Sequence, residues 1–372
     1  MNTQRANTTT ASSSDQKAFS VEELLYREEI VLPYGHIQHH VFSRRILITG
    51  ASGSIGSQLS RQIAQYEPSE LILIDKCEGT LSSLEAELRK LFTSLKLTVL
   101  MADISDEVRI AHIFHATKPH VVYHTAALKH VPFVEKQLYD AIKTNVLGTK
   151  ILADTSSKLK VEKFVFVSTD KAVNPSSFMG ASKRFGEIVM ADQNKRLQSS
   201  TQFITARFGN VLGSSGSVVN IFDTQIREGG PITITHRDMT RYFMTPYEAG
   251  QLLLEAGATG TDGQILIFKM GDPVNISDLA IKMIRLQGLR PGSDIEIIYT
   301  GIRPGEKLHE QLLSDTDQLL PSHHHQIFVA RLKDDFIIDV ADYIEKMKQA
   351  MQSSNTALMR SLLKLAVPEY GI

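Results

Sequence analysis

From Arg45 onward, short apolar runs alternate with segments whose apolar residues recur three and four positions apart. "RILITG" reads as a buried strand, followed by "ELILID", "LKLTVLMAD", "HVVYHTAA", "KFVFVSTD" and "QFITARFGNV" as five more. Between them, residues 55–66, "GTLSSLEAELRKLF" and "YDAIKTNVLGTKILADTSSK" carry helical spacing. Such alternation predicts an α/β fold whose parallel sheet is covered on both faces. Beyond residue 211 the pattern breaks into longer irregular stretches, such as "GSSGSVVNIFDTQIREGGPITITHRDMTRYF". This change predicts a smaller second lobe over 211–327, with some of it returning to the sheet domain at 44–210. Residues 1–20, rich in Thr, Ser and Asn, read as a disordered tail. Residues 21–43 read as an arm, a short helical piece and a loop, serving as a linker. Residues 328–372, with "VADYIEKMKQAM" and "ALMRSLLKLAV", read as helices packed on the second lobe or on another subunit.

Composition narrows the partners. Among 372 residues, 40 basic and 41 acidic side chains leave a net charge of −1, so no global field favours nucleic acid or an anionic membrane. The single Cys77 excludes a disulfide framework and fits a reducing cytosol. No apolar run approaches the ~20 residues that span a bilayer, and the N-terminus lacks the apolar core of a secretory signal. A cytoplasmic protein acting on a soluble molecule is expected. "HHH" at 323–325 lacks spaced acidic or Cys partners, and His112, His115, His120 and His124 straddle a helix–turn–strand boundary. No metal site is expected from either group.

The first candidate chemistry is a phosphate cradle. "ITGASGSIGSQL" sets Gly50, Gly53 and Gly56 between the first strand and a helix, with Ser52, Ser54 and Ile55 among them. The glycines serve a tight turn, close backbone approach to a pyrophosphate, and helix-to-strand packing. The helix start offers free N–H groups and a positive dipole end. Asp75 ends the second strand roughly 20 residues on, where an acid binds the adenosine ribose hydroxyls. An acid there favours NAD over NADP; Lys76 and Lys129 leave NADP open. Asp103 and Ile104 end the third strand where adenine would lie, and Ala126 and Ala127 end the fourth beside the nicotinamide ribose. Four strand ends converging on one ligand predict a Rossmann-type, doubly wound dinucleotide-binding domain.

"VSTDKAVNPSSFMGASKRFGE", residues 167–187, then supplies a reaction site. With Gly50–Gly56, Asp103, Ala126, Ala127, Asn145 and Lys183, the chain resembles the extended short-chain dehydrogenase/reductase family. Within it, "AALKHVPFVE", "STDKAVNP", "MGASKR", "TRYFMT" and "RPGEKLHE" resemble the CapD-like polysaccharide-biosynthesis proteins, nucleotide-sugar 4,6-dehydratases acting on UDP-N-acetylglucosamine. The likeness runs from about Val21 to about Ile327. Many members carry membrane spans and a further domain ahead of this unit, so the chain is similar to their catalytic part. The family usually has Tyr four residues before the lysine; here that position is Met179, as in one branch of these enzymes. A thioether has no ionisable proton.

The resemblance implies a role for each residue. Asp170 is the acid toward the C6 oxygen, Lys171 the base at C5, Thr169 the group nearest the C4 hydroxyl, and Lys183 the ligand of the nicotinamide ribose. Asn145 joins the cofactor set. Asn210 and Ser217 contact the sugar diphosphate, Arg241 and Arg303 clamp it, Glu306 accepts from the uridine ribose, and Lys129 or His130 lies near the sugar. Forked guanidiniums suit adjacent phosphates. The implied cofactor is a tightly held, recycled NAD, the substrate UDP-N-acetylglucosamine, the C5 outcome retention, and the assembly a homo-oligomer. A 4,6-dehydratase that also inverts C5, a UDP-sugar 4-epimerase, and a non-catalytic nucleotide-sugar binder are the alternatives.

Overall fold

The computed structural model describes residues 24–25, 27–32, 34–195, 200–314, 317–322, 324–332 and 338–371. The expected tail at 1–20 and His323 lie outside the described residues. In chain order come α1 (Tyr34–Val41), β1 (Arg45–Thr49), α2 (Ser54–Ala64), β2 (Glu70–Asp75), α3 (Glu78–Leu91), β3 (Leu97–Met101), α4 (Glu107–Thr117) and β4 (Val121–His124). A π-helical segment (Ile142–Gly148) runs into α5 (Thr149–Lys158), then β5 (Lys163–Thr169), α6 (Phe178–Lys195) and β6 (Gln202–Phe208). Next are α7 (Val218–Arg227), α8 (Pro246–Thr259), β7 (Gln264–Phe268) and α9 (Ile276–Leu286). The chain closes with β8 (Asp317–Leu320), β9 (Ile327–Leu332), α10 (Val340–Gln352) and α11 (Thr356–Ala366).

The main sheet has nine strands in the order β8-β9-β7-β6-β5-β4-β1-β2-β3. The strands from β3 across to β7 run parallel, and β9 and β8 close that edge antiparallel. Each central strand is apolar on both sides because both faces are covered. Leu47, Ile72 and Ile74 share a core with Ile110, Leu152 and Phe185. Their neighbours Ile46, Ile48, Leu71 and Leu73 point the other way, to Ile37, Leu59, Leu84 and Leu252. Strand order reverses between β1 and β4, the position where a doubly wound sheet opens a crevice at its carboxyl edge.

The second lobe has its own core of Phe222, Ile226, Met283 and Ile284. Its strands are short: 232–234 pair with 297–299, and 240–241 with 274–275. β7, β8 and β9 belong to the main sheet, so the segment after residue 211 leaves that sheet and returns to it.

Two expectations need correction. The arm is no linker, because Ile37 and Val41 are fully buried and Arg27 forms an ion pair with the buried Glu248 of α8. The C-terminal helices pack on the sheet domain and not on the second lobe. Tyr343, Met347, Met359 and Leu363 join the core of Phe185 and Ile188, and the rings of Phe185 and Tyr343 lie 5.7 Å apart. The physical reason is α6, which is apolar on several sides and offers those amphipathic helices a face to cover. Among the described residues no helix is long and apolar enough to cross a membrane.

Candidate active site

β1 ends in a turn with no room for a side chain at Gly50 or Gly56. Gly50 has φ +66°, a Cβ on it would lie 2.6 Å from Ala126 Cα, and one on Gly56 would lie 2.2 Å from Gly50 O. α2 starts at Ser54 after Gly53, with no side chain capping its amides. Turn and helix end therefore present N–H groups and a positive dipole end to an anion. Asp75 accepts from the amides of Ser52 and Cys77, each at 3.0 Å, which fixes its carboxylate beside that turn. Asp103 accepts from the Ser105 amide at 2.9 Å and its hydroxyl at 2.7 Å, and Ile104 is buried against Gly148. Ile55 and Ala127 line the adjoining pocket. A glycine floor, an uncapped helix start and an acid on the second strand together fit a dinucleotide.

Asn145 sits differently from its expected place in the cofactor set. Its Oδ1 accepts from Leu128 N at 2.8 Å, and its amide donates to Leu128 O at 2.9 Å and Ser182 Oγ at 3.0 Å. Those bonds occupy both amide hydrogens and one lone pair of the oxygen. Asn145 therefore holds the loop after β4 against α6.

A cavity of about 660 Å³ lies between the carboxyl ends of β4, β5 and β6 and the second lobe. At the end of β5 the chain turns sharply through Asp170–Ala172. α6 approaches that turn so closely that a Cβ on Gly180 would lie 2.2 Å from Lys171 O. This contact brings Met179 and Lys183, both lining the cavity, alongside Thr169 and Lys171. Thr169 Oγ1 donates to Asp170 Oδ1 at 2.9 Å, and Lys171 Nζ donates to the same oxygen at 3.0 Å. Lys171 also donates to Asn210 Oδ1 at 2.9 Å, so Asn210 orients the lysine. The Asp170 side chain is fully buried, and its Oδ2 has no partner among the described residues.

Met179 is 3% exposed and has no proton to exchange. One turn on, the Lys183 ammonium stands 4.1 Å from the centre of the Phe166 ring. Burial lowers Lys183 from 10.5 to about 7, against the opposing charge of Glu187.

The far wall carries groups for an anionic ligand. Ser217 precedes α7, whose amides no side chain caps. Arg241 is nearly buried and donates to the carbonyls of Thr240, at 2.7 Å, and Leu308, at 3.2 Å. Arg303 is exposed and Glu306 half-buried on the cavity rim, with Lys129 and His130 opposite. The loop between the two halves crosses the cofactor turn, where Ser215 N donates to Ser54 Oγ at 3.1 Å. Arg207, close to Asn210 in sequence, points away into a buried pairing with Glu187 and Asp317. The sequence reading missed Glu310, whose Oε1 lies 3.7 Å from Lys171 Nζ, and Lys307, which donates to Val173 O at 2.6 Å. Their only signal is the density of ionisable residues in "RPGEKLHE", a loop without periodicity.

Residues 46–332 match the family described as polysaccharide biosynthesis protein. The capsular polysaccharide biosynthesis protein CapD of Staphylococcus aureus is 45% identical over 302 residues, 81% of this chain and 50% of that protein. The chain thus spans half the length of that relative. A UDP-glucose 4-epimerase of Rickettsia canadensis is 34% identical over 74% of this chain and 79% of its own. An inverting UDP-N-acetylglucosamine 4,6-dehydratase of Campylobacter jejuni is 33% identical over the same shares, 74% and 79%. Among solved structures, Pen from Bacillus thuringiensis superposes with TM-score 0.70 at 28% identity, covering 81% of this chain and 90% of that one. DesIV, a dTDP-glucose 4,6-dehydratase from Streptomyces venezuelae solved with NAD, shares the fold at TM-score 0.63 and 21% identity, covering 72% and 88%. The chain belongs to the polysaccharide biosynthesis protein family, among the nucleotide-sugar dehydratases and epimerases of the extended short-chain dehydrogenase/reductase fold.

Proposed function

We propose that this chain is a nucleotide-sugar 4,6-dehydratase that uses NAD to remove water from UDP-N-acetylglucosamine, with retention at C5, for a surface polysaccharide or glycan. One observation carries the reading: Thr169 and Lys171 line the cavity and both donate to one buried oxygen of Asp170 behind them, at 2.9 and 3.0 Å. An epimerase needs only reversible oxidation at C4. A dehydratase needs, in addition, a base at C5 and an acid at C6, and this pair offers both.

Gly50, Ser52, Gly53, Ser54, Ile55 and Gly56 would hold the pyrophosphate, Asp75 the adenosine ribose, and Asp103 with Ile104 the adenine. Ala126, Ala127 and Lys183 would flank the nicotinamide ribose. Bound there, the nicotinamide would supply reversible two-electron hydride chemistry for C4 and C6. The ketone at C4 acidifies the C5 hydrogen. Thr169 relays the C4 hydroxyl proton along its hydrogen bond to Asp170, and Asp170 gives a proton to the departing C6 oxygen. Lys171 removes the C5 proton and returns one to C5. Met179 has no proton to offer, and retention at C5 is what the resemblance to the Met-containing branch implies. Arg241, Arg303 and Ser217 would meet the diphosphate, with Lys129 near the sugar and Glu306 on the uridine ribose. Asn210 acts through Lys171.

NMR of UDP-N-acetylglucosamine incubated with the protein in D₂O tests this. A C6 methyl, a C4 ketone, one deuterium at C5 and no net reduced cofactor are expected. Asp170→Asn and Lys171→Ala should each lower output by about 10²–10⁴-fold. An intact sugar inverted at C4 would replace the reading with an epimerase. Ring coupling constants showing inversion at C5 would overturn retention. Binding without turnover, indifferent to both substitutions, would leave a nucleotide-sugar sensor.

A further inference from the structure

The dehydratase reading leaves one proton without a holder, and the role assigned to Glu310 below rests on that reading. Lys171 meets Asp170 as an ion pair at 3.0 Å. An ammonium cannot take the C5 proton. Asp170 cannot relieve it either, because it is filled by the C4 hydroxyl proton that it must later give to the C6 oxygen. A third group has to hold the lysine's surplus proton while the C5–H bond breaks.

Glu310 occupies that position. Its side chain is 4% exposed, its Oε1 is 3.7 Å from Lys171 Nζ, and its Oε2 is buried with no partner among the described residues. The charged groups facing it are Asp170 and Lys171 from the turn after β5, Arg241 from the second lobe, and Lys307 from its own loop. Burial raises Glu310 above the usual glutamate value, and the Asp170 charge adds to this against Lys171, Arg241 and Lys307. It therefore accepts a proton more readily than an ordinary carboxylate.

We propose that Glu310 takes the surplus proton from Lys171 before C5 is deprotonated and returns it as the turnover closes. The balance is complete. The C4 hydroxyl proton goes to Asp170, and one ammonium proton of Lys171 goes to Glu310. The C5 proton goes to the neutral amine, while the C6–O bond breaks and that oxygen leaves as water with the Asp170 proton. The two electrons and the hydrogen taken from C4 return to C6 by way of the nicotinamide dinucleotide, and Lys171 gives a proton to C5. Glu310 then recharges Lys171. The three side chains end as they began, and the sugar has lost one water. Glu310 touches no reacting atom in this scheme; it is a positioning residue that sets the protonation of Lys171.

Glu310→Gln keeps the shape and removes the proton acceptor. Turnover of UDP-N-acetylglucosamine should fall about 100-fold at pH 7. It should then climb about tenfold per pH unit toward alkaline pH, where solvent hydroxide does the work of the missing carboxylate, while the wild type stays flat across neutral pH. KM should be unchanged. Reduced cofactor should accumulate in single turnovers, because C4 oxidation still proceeds. An unchanged rate and profile, or a loss equal at every pH, would overturn the proposal. If Glu310→Gln does not fold, Glu310→Asp should retain the flat profile at a lower rate, and a sloped profile would overturn the proposal. A wild type that forms no dehydrated sugar would instead sink the dehydratase reading. An infrared pH titration needs no turnover: a carboxylic-acid band should titrate above the ordinary glutamate range and vanish in Glu310→Gln. A band titrating within that range would overturn the assignment whatever the substrate.

Discussion

Lys183 is a costly residue to keep. It is 5% exposed, and its ammonium has an aromatic face beneath it at 4.1 Å. Its folded-state value of about 7 lies below the unfolded 10.5. Between those two values the unfolded chain binds a proton that the folded chain lacks. Stability from this residue is therefore lowest below about pH 7 and rises as pH climbs from there toward 10.5. Lys183→Met should remove that slope and stabilise the fold at pH 7 by about 1–4 kcal/mol, while abolishing turnover. Thermal melts from pH 6 to 10 check it; a variant that melts lower than the wild type at pH 7 would show that the ammonium is not under strain. The same region marks what is legible in the sequence. Thr169, Asp170, Lys171 and Lys183 stand out because they are adjacent, or one helical turn from Met179, at a strand end. Glu310 reaches the same spot from a loop more than 130 residues away, and no local spacing announces a contact of that kind.

At the scale of elements, the parallel strands are readable because burial on both faces writes them as continuous apolar runs, such as "ELILID". The second lobe is not, since its pairings are two or three residues long and join distant segments such as 232–234 and 297–299. The arm escapes a sequence reading for a related reason. Residues 27–32 have no period, and polar bonds fix them alongside the buried Ile30 and Leu32. Ile30 N donates to Glu248 Oε1 at 2.7 Å, and Arg27 donates to Glu248 Oε2 at 2.9 Å and Phe243 O at 3.1 Å. Glu248 is also the third helical residue of α8, and it closes a capping box with Thr245. One buried carboxylate thus starts a helix and anchors a distant segment. Arg27→Ala leaves that carboxylate short of its charged donor and should destabilise the fold by about 1–3 kcal/mol. Denaturant unfolding reads the loss. A change within error would mean that the arm rests on its apolar contacts alone, Leu24 and Leu25 in the second-lobe core and Ile30, Leu32, Ile37 and Val41 in the sheet-domain core.

Across the whole molecule, the reaction centre stands on a buried ionic lattice that joins its layers. Glu187 on α6 accepts from Arg207 of β6 at 3.0 and 2.8 Å, from Arg184 at 2.9 Å and from Ser168 of β5 at 2.6 Å. Arg207 reaches on to Asp317 of β8 at 2.6 Å, linking the parallel strands to the antiparallel edge. Burial alone would raise Glu187; the guanidiniums of Arg207 and Arg184 and the bonds from Arg207 and Ser168 outweigh it and hold it at about 2, down from 4.5. A depressed carboxylate stabilises the fold fully above its unfolded value. That contribution disappears as pH falls from 4.5 through about 2. Glu187→Gln removes one charged partner from two buried guanidiniums, which keep Asp317 and Glu369, and should cost about 1–3 kcal/mol at neutral pH. Its melting temperature should then fall less steeply than the wild type's over that acid window. Equal acid slopes would show that the lattice does not carry the acid sensitivity. Because the Glu187 charge also favours the Lys183 ammonium one turn away, the substitution should move the Lys183 titration below about 7. A shift in that amine's pH midpoint, read by lysine-selective NMR, ties the integrity of the sheet edge to the charge of Lys183 on the cavity wall.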